Sequence, residues 1–97
     1  MEHTKITVIA RLTAKPGYEE QVRAQSISLV EPSRAETGNL SYSTFNSATD
    51  PREWVVVEEW ESREDFERHL ASAHMQEAFA VGAEWLAGPP VETVVEG

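Results

Sequence analysis

The 97-residue chain predicts a ferredoxin-like α+β fold, a βαββαβ sandwich with one antiparallel sheet, and three observations carry that expectation. Segments rich in β-branched and aromatic residues alternate with helical segments in the order strand, helix, strand, strand, helix, strand over nearly the whole chain. Two of the four strands are apolar on both faces, which suits the centre of a sheet covered on both sides. The chain is also too short for more than one core, so residues 1–97 read as a single domain.

The first strand is Ile6 to Leu12, closed by Lys15-Pro16-Gly17, a turn that leads into a helix. The helix runs from about Gly17 to Glu36, with Tyr18, Val22, Leu29 and Val30 on its apolar face and Gln25 and Ser26 interrupting it. Pro32 lacks a backbone N–H and crowds the preceding turn, so a kink or break is expected there, with Gly38 as the left-handed stop. Leu40 to Asn46 and Trp54 to Trp60 form a hairpin around the turn-rich Ser47–Arg52. Ser62 caps a short helix over Arg63 to Leu70, and Ser72 caps a second over Ala73 to Leu86, where Met75, Ala78, Phe79, Gly82, Trp85 and Leu86 share a face. Gly88-Pro89-Pro90 ends it, and Val91 to Glu96 makes the last strand.

Within the sheet, Trp54, Val56 and Trp60 point one way and Val55 and Val57 the other, which places the third strand in the centre beside the first. The second strand offers Ser41, Ser43, Thr44 and Asn46, and the fourth is flanked by Pro90 and glutamates, as edges would be. The expected order is 4-1-3-2. The chain's helices can cover one face only, so Ile9, Phe45, Val55, Val57 and Val94, if they share the other, form an apolar patch. A homodimer through that sheet face is the expectation.

Eight Lys and Arg against 17 Asp and Glu give a formal charge of −9, which argues against nucleic acid as a partner. The absence of cysteine removes disulfides, thiolate nucleophiles, iron–sulfur clusters and Cys-based zinc sites. No segment approaches the ~18 apolar residues of a membrane span and no basic leader precedes the first strand, so a cytoplasmic protein without membrane association is expected. Glycines at 17, 38, 82, 88 and 97 cannot build a dinucleotide fingerprint or a phosphate loop, so no nucleotide cofactor is signalled. His3, His69 and His74 lack the i,i+4 spacing of a helical metal pair and have no obvious third ligand, so no metal is expected.

Glu58 lies between Val56 and Trp60 on the strand face that points toward the helices. A desolvated carboxylate there either moves protons or sits hydrogen-bonded to a buried histidine or indole N–H. Trp60 is either a core aromatic or one wall of a cavity for a flat ligand. His74 follows the cap Ser72 by two residues, where the helix dipole keeps its ring neutral as acceptor or base. His69 precedes the Ala71-Ser72-Ala73 loop, and each of the two histidines either faces a pocket between helices and sheet or makes a helix-terminal hydrogen bond, the latter favoured for His69. The acidic run Glu58-Glu59-Glu61, continued by Glu64-Asp65-Glu67 with Arg63 and Arg68 interleaved, reads mostly as a solvated face.

Taken in order, Gly38-Asn39-Leu40-Ser41-Tyr42, Asp50-Pro51, Glu58-x-Trp60-x-Ser62, Phe66, His69-Leu70 and Ser72-x-His74 resemble the antibiotic biosynthesis monooxygenase family of the dimeric α+β barrel superfamily. The resemblance spans about residues 4–96. It implies a protomer that pairs sheet to sheet and oxidises an aromatic phenol or quinol with molecular oxygen, using neither metal nor flavin. On that pattern Glu58, Trp60 and His74 would be catalytic, as proton relay, stacking wall and base. Phe66, Val56, His69 and Phe79 would bind the substrate, a small aromatic or quinol. Relatives acting on aromatic polyketides are similar in using Asn, Trp, Tyr and Arg, of which only Trp60 is matched; Val56, Phe66 and Ala80 stand at or near the other positions. Ala10 and Phe79 stand where heme-degrading relatives carry Asn and His, so heme degradation is not expected. A non-catalytic small-molecule-binding dimer, and an isomerase or lyase that moves protons in the same pocket, are the alternative readings.

Overall fold

A computed structural model describes residues 4–97, so His3 lies outside the described residues. The elements are β1 (Ile6–Thr13), α1 (Glu19–Ser28), α2 (Val30–Arg34), β2 (Asn39–Asn46), β3 (Glu53–Trp60), α3 (Arg63–Leu70), α4 (Ala73–Gly82) and β4 (Val91–Glu96). The strands form one antiparallel sheet in the order β2-β3-β1-β4, the order expected, with helices on one face. This is the ferredoxin-like α+β fold.

Strand alternation decides which side chains meet the helices. On β3, Trp54, Val56, Glu58 and Trp60 are all buried, and on β1 Ile6, Val8 and Ala10 are buried beside them. Ile6, Val8, Trp60 and Phe66 pack at one end of the layer, Ala10, Tyr42 and Val56 in the middle, and Ala14, Val22 and Trp54 at the other end. The register sets Glu58 opposite Val8 on one side and Tyr42 on the other, so a carboxylate stands within an otherwise apolar face.

Four expectations need correction. Val94 pairs with Val8 and packs on the Ile6–Trp60 cluster, so it faces the helices; Val91 and Val95, both exposed, join Ile9, Phe45, Val55 and Val57 on the outer face instead. The first helix breaks at Leu29, not at Pro32, because the bond a proline cannot donate is the one to the carbonyl four residues earlier, on Ser28. The last helix stops at Gly82 rather than Leu86: the following segment is captured by the end of β1, where Lys15 N–H donates to the Trp85 carbonyl and Ala87 N–H to that of Thr13, each at 2.8 Å. Asp65, read as part of the solvated acidic face, is buried.

Asp65 is held at the start of α3. Its backbone N–H donates to the N-cap Ser62 Oγ, and its carboxylate accepts from the Ser62 hydroxyl and the Arg68 guanidinium. Gly38, with φ +84°, passes directly over that carboxylate, and a Cβ there would collide with it. Gly38→Ala therefore combines left-handed strain with a clash. It is expected to cost about 2 kcal/mol or more in urea denaturation, and a cost below ~0.5 kcal/mol would contradict this packing.

Candidate active site

Between sheet and helices lies a cavity of about 460 Å³, a size suited to a small ligand. Its floor is Ala10, Leu12, Val56, Tyr42 and Glu58 of the sheet, with Glu92 of β4 at its edge. The α1 residues Val22 and Gln25 with the C-cap Leu29, the α3 residues His69 and Leu70, and the α4 residues Met75, Ala78 and Phe79 form the walls and roof. Gln25 Nε2–H donates to the Ala78 carbonyl at 3.2 Å, tying α1 to α4 across the roof. The lining is mostly apolar. Among the described residues that line it there is no Lys or Arg, whereas two are glutamates.

The polar floor centres on Glu58. It is 4% exposed, and its Oε1 accepts from Trp60 Nε1–H at 3.0 Å. Burial pushes its pKa from 4.5 up to about 7; the indole hydrogen bond opposes the rise, and the charges of Glu92 and Glu36 add to it. The carboxyl is therefore poised between acid and base near neutral pH. Tyr42, its cross-strand neighbour, has its phenol pushed well above the ordinary range, first by burial and then by the Glu58 charge.

His69, 1% exposed, stands beside Glu58, its Nε2 3.6 Å from Glu58 Oε1 and without a hydrogen-bond partner among the described residues. Its ring lies 4.8 Å from that of Trp60 and is stacked at 6.2 Å on Phe66. On its far side Nδ1–H donates to Glu36 Oε2 at 2.5 Å. Burial lowers the His69 pKa, against the upward pull of the Glu36 hydrogen bond and charge, so the ring is held neutral. The same Glu36 oxygen lies 3.2 Å from His74 Nε2, which is also 3.2 Å from Ser72 Oγ. Ser72 spends its proton on the His69 carbonyl at 2.6 Å, so its oxygen and the Glu36 carboxylate both accept from His74 Nε2–H.

Of the residues singled out from sequence, Glu58, His69, Val56 and Phe79 border the cavity. Trp60, Phe66 and His74 do not. Trp60 is fully buried beneath it with Phe66, holding Glu58 and His69 in place, and His74 is half-buried on the outer side of Glu36. His69 does more than end a helix: it bridges two carboxylates from separate elements. Glu36, Tyr42 and Glu92 join the site without being singled out by the sequence as site residues. The sequence separations of 33 and 38 between Glu36 and the two histidines leave no local signal for their meeting. Tyr42 is signalled only by its register opposite Glu58. Glu36 is also the third potential ligand that the histidine spacing failed to reveal, since its carboxylate and both rings present atoms within 4.8 Å of one another.

Comparison with known proteins follows the same line. The family model described as antibiotic biosynthesis monooxygenase matches residues 5–81. YcnE of Bacillus subtilis (strain 168) is 33% identical over 84 residues, covering 87% of this chain and 88% of that protein. Rv0793 of Mycobacterium tuberculosis is 34% identical over 90 residues, covering 93% of this chain and 88% of its own; its solved structure superposes with a TM-score of 0.88, over 94% of this chain and 92% of that one. PA3566 of Pseudomonas aeruginosa, 28% identical, superposes with a TM-score of 0.87 over 100% of this chain and 95% of that one.

Proposed function

Because the chain belongs to the antibiotic biosynthesis monooxygenase family, we propose that it is a cofactor-independent monooxygenase of a small, uncharged aromatic phenol or quinol. The observation that carries this reading is the apolar cavity of about 460 Å³ with Glu58, at a pKa of about 7, and the neutral ring of His69 on its floor. Val56 and Phe79 flank the aromatic ring of the substrate, while Trp60 and Phe66 act from beneath by fixing the two proton-handling groups. Glu58, ionised above pH 7, takes the phenolic proton, and the ring anion passes one electron to molecular oxygen. The radical pair couples to a carbon–peroxide bond; protonation of the outer oxygen and loss of the ring hydrogen release water and leave a carbonyl. A hydroquinone and one O₂ thus give a hydroxyquinone and one H₂O.

The two glutamates bordering the cavity, without a compensating cation among the lining residues, set the charge of the substrate. A neutral hydroquinone is expected to bind at least about tenfold more tightly than a hydroxybenzoate of similar size, or ~1.4 kcal/mol. An oxygen electrode with a panel of hydroquinones in EDTA tests the reaction, one O₂ being consumed per quinol. Proton exchange without oxygen uptake would replace it by the isomerase or lyase reading, which uses the same two groups. Binding with neither would leave a small-molecule-binding protein. The exposed outer face of Ile9, Phe45, Val55, Val57, Val91 and Val95 is assigned to a second copy of the chain. No helix among the described residues is long and apolar enough to cross a membrane.

A further inference from the structure

We propose that Glu36 and His74 form the solvent end of a proton path that starts at Glu58 in the cavity and crosses the helix layer through His69. The groups come from four separate segments: Glu58 from β3, His69 from α3, Glu36 from the turn after α2, and His74 from the first turn of α4. Their contacts run in sequence, 3.6 Å from Glu58 Oε1 to His69 Nε2, 2.5 Å from His69 Nδ1 to Glu36 Oε2, and 3.2 Å from Glu36 Oε2 to His74 Nε2. Exposure is low for the inner pair, 5% and 1% for the Glu58 and His69 side chains, and higher for the outer pair, 17% for Glu36 and 27% for His74. The inner end is dry and the outer end meets water.

Hydrogen-bond polarity fits transfer in this direction. His69 donates through Nδ1–H to a carboxylate, which leaves Nε2 as a lone-pair acceptor with no partner, buried, and nearest to Glu58. A proton taken by Glu58 moves to Nε2 as the Nδ1 proton moves to Glu36; with His74 in its Nδ1–H tautomer, Glu36 passes the proton to His74 Nε2 as Nδ1 releases one to water, which leaves the Nε2–H that faces Glu36 and Ser72 at rest. Glu58 returns to the carboxylate, and His69 is left as the Nε2–H tautomer. A proton entering by the same route reverses the tautomer. The charged and titratable groups around the relay are Glu58, Glu36, His74, Tyr42 of β2 and Glu92 of β4.

A metal ion bound by Glu36, His69 and His74 is the competing use of the same atoms. Bonds of ~2.0–2.1 Å to a tetrahedral ion would hold its ligands about 3.3 Å apart. The 2.5 Å between Glu36 Oε2 and His69 Nδ1 is the spacing of a hydrogen bond instead. The path serves the proton chemistry proposed for Glu58, but its test needs no substrate, so failure of the oxygen reaction and failure of the path are read separately.

In protein labelled with nitrogen-15 at histidine, the His69 ring is expected as the Nδ1–H tautomer, with that buried proton exchanging rapidly with solvent. His74→Ala and Glu36→Gln should each slow the exchange at least tenfold, and millimolar imidazole should restore it in His74→Ala in proportion to concentration. A merely structural role predicts the opposite, because removing His74 would open Glu36 to water and speed exchange. Unchanged or faster exchange in His74→Ala overturns the proposal. So does one equivalent of Zn²⁺ that survives dialysis in the wild type and is lost in His74→Ala, because a ligated nitrogen carries no mobile proton.

Discussion

Glu58→Gln is expected to lower turnover of a hydroquinone by about 10²–10⁴-fold while making the protein more stable at pH 8. The carboxyl holds its proton more tightly in the folded chain, with a pKa of about 7 against 4.5. Between those values the native state binds more protons than the unfolded state, so stability falls as pH rises. The contribution is fully present below about pH 4.5 and lost once pH has passed about 7. A rise from 4.5 to about 7 corresponds to ~3 kcal/mol, the destabilisation carried by the ionised group at pH 8. Glutamine keeps the shape and the oxygen that accepts from Trp60 Nε1–H, and it cannot ionise. Its melting temperature at pH 8 should exceed that of the wild type by on the order of 10 °C, the two converging near pH 4.5. His69 acts with the opposite sign: its lowered pKa gives a contribution present above its unfolded value of 6.5 and lost as pH falls through the folded one. Thermal melts from pH 4 to 9 measure both, and a Glu58→Gln variant that is less stable than the wild type at pH 8 would refute the assignment.

Val57→Asp is expected to convert a dimer into a monomer. Val57 lies on central strand β3, opposite Ile9 of β1 and Ser43 of β2, with its side chain on the face away from Trp60. Around it Ile9, Phe45, Val55, Val91 and Val95 make an apolar surface that no helix among the described residues covers. Two-fold pairing of this face would bring each new carboxylate into a desolvated interface, where Arg11 on the same face offsets only part of the cost, so association should weaken by about 10²-fold or more. Light scattering at micromolar concentration is the measurement. A wild type that is already monomeric there rejects the assignment of this face to a second copy. Val57→Asp leaves the residues bordering the cavity in place, so it separates assembly from the site itself.

Strand identity, the 4-1-3-2 order and both serine caps were legible in the sequence because each rests on a local pattern: alternation over seven or eight residues, or a hydroxyl at a helix start. Glu58 was legible for the same reason, since alternation with Val56 and Trp60 forces it inward. Val94 was misplaced because its face depends on register against β1, and a shift of one residue exchanges the two faces. The end of the last helix was misjudged because the backbone that competes for Trp85 and Ala87 lies some 70 residues earlier, at the end of β1.

Sequence by itself determined the protomer: its fold, the strand faces, and a carboxylate set among apolar residues on the central strand. Only the tertiary structure decided which groups share the site. It put Trp60 and Phe66 beneath the cavity, drew His69 inside, left His74 on the outer side of Glu36, and brought Glu36 between the two histidines across separations of 33 and 38 residues. The physical reason is range. Periodicity and capping act between residues a few positions apart, whereas a hydrogen-bonded chain of side chains forms only where packing brings distant segments within about 3 Å.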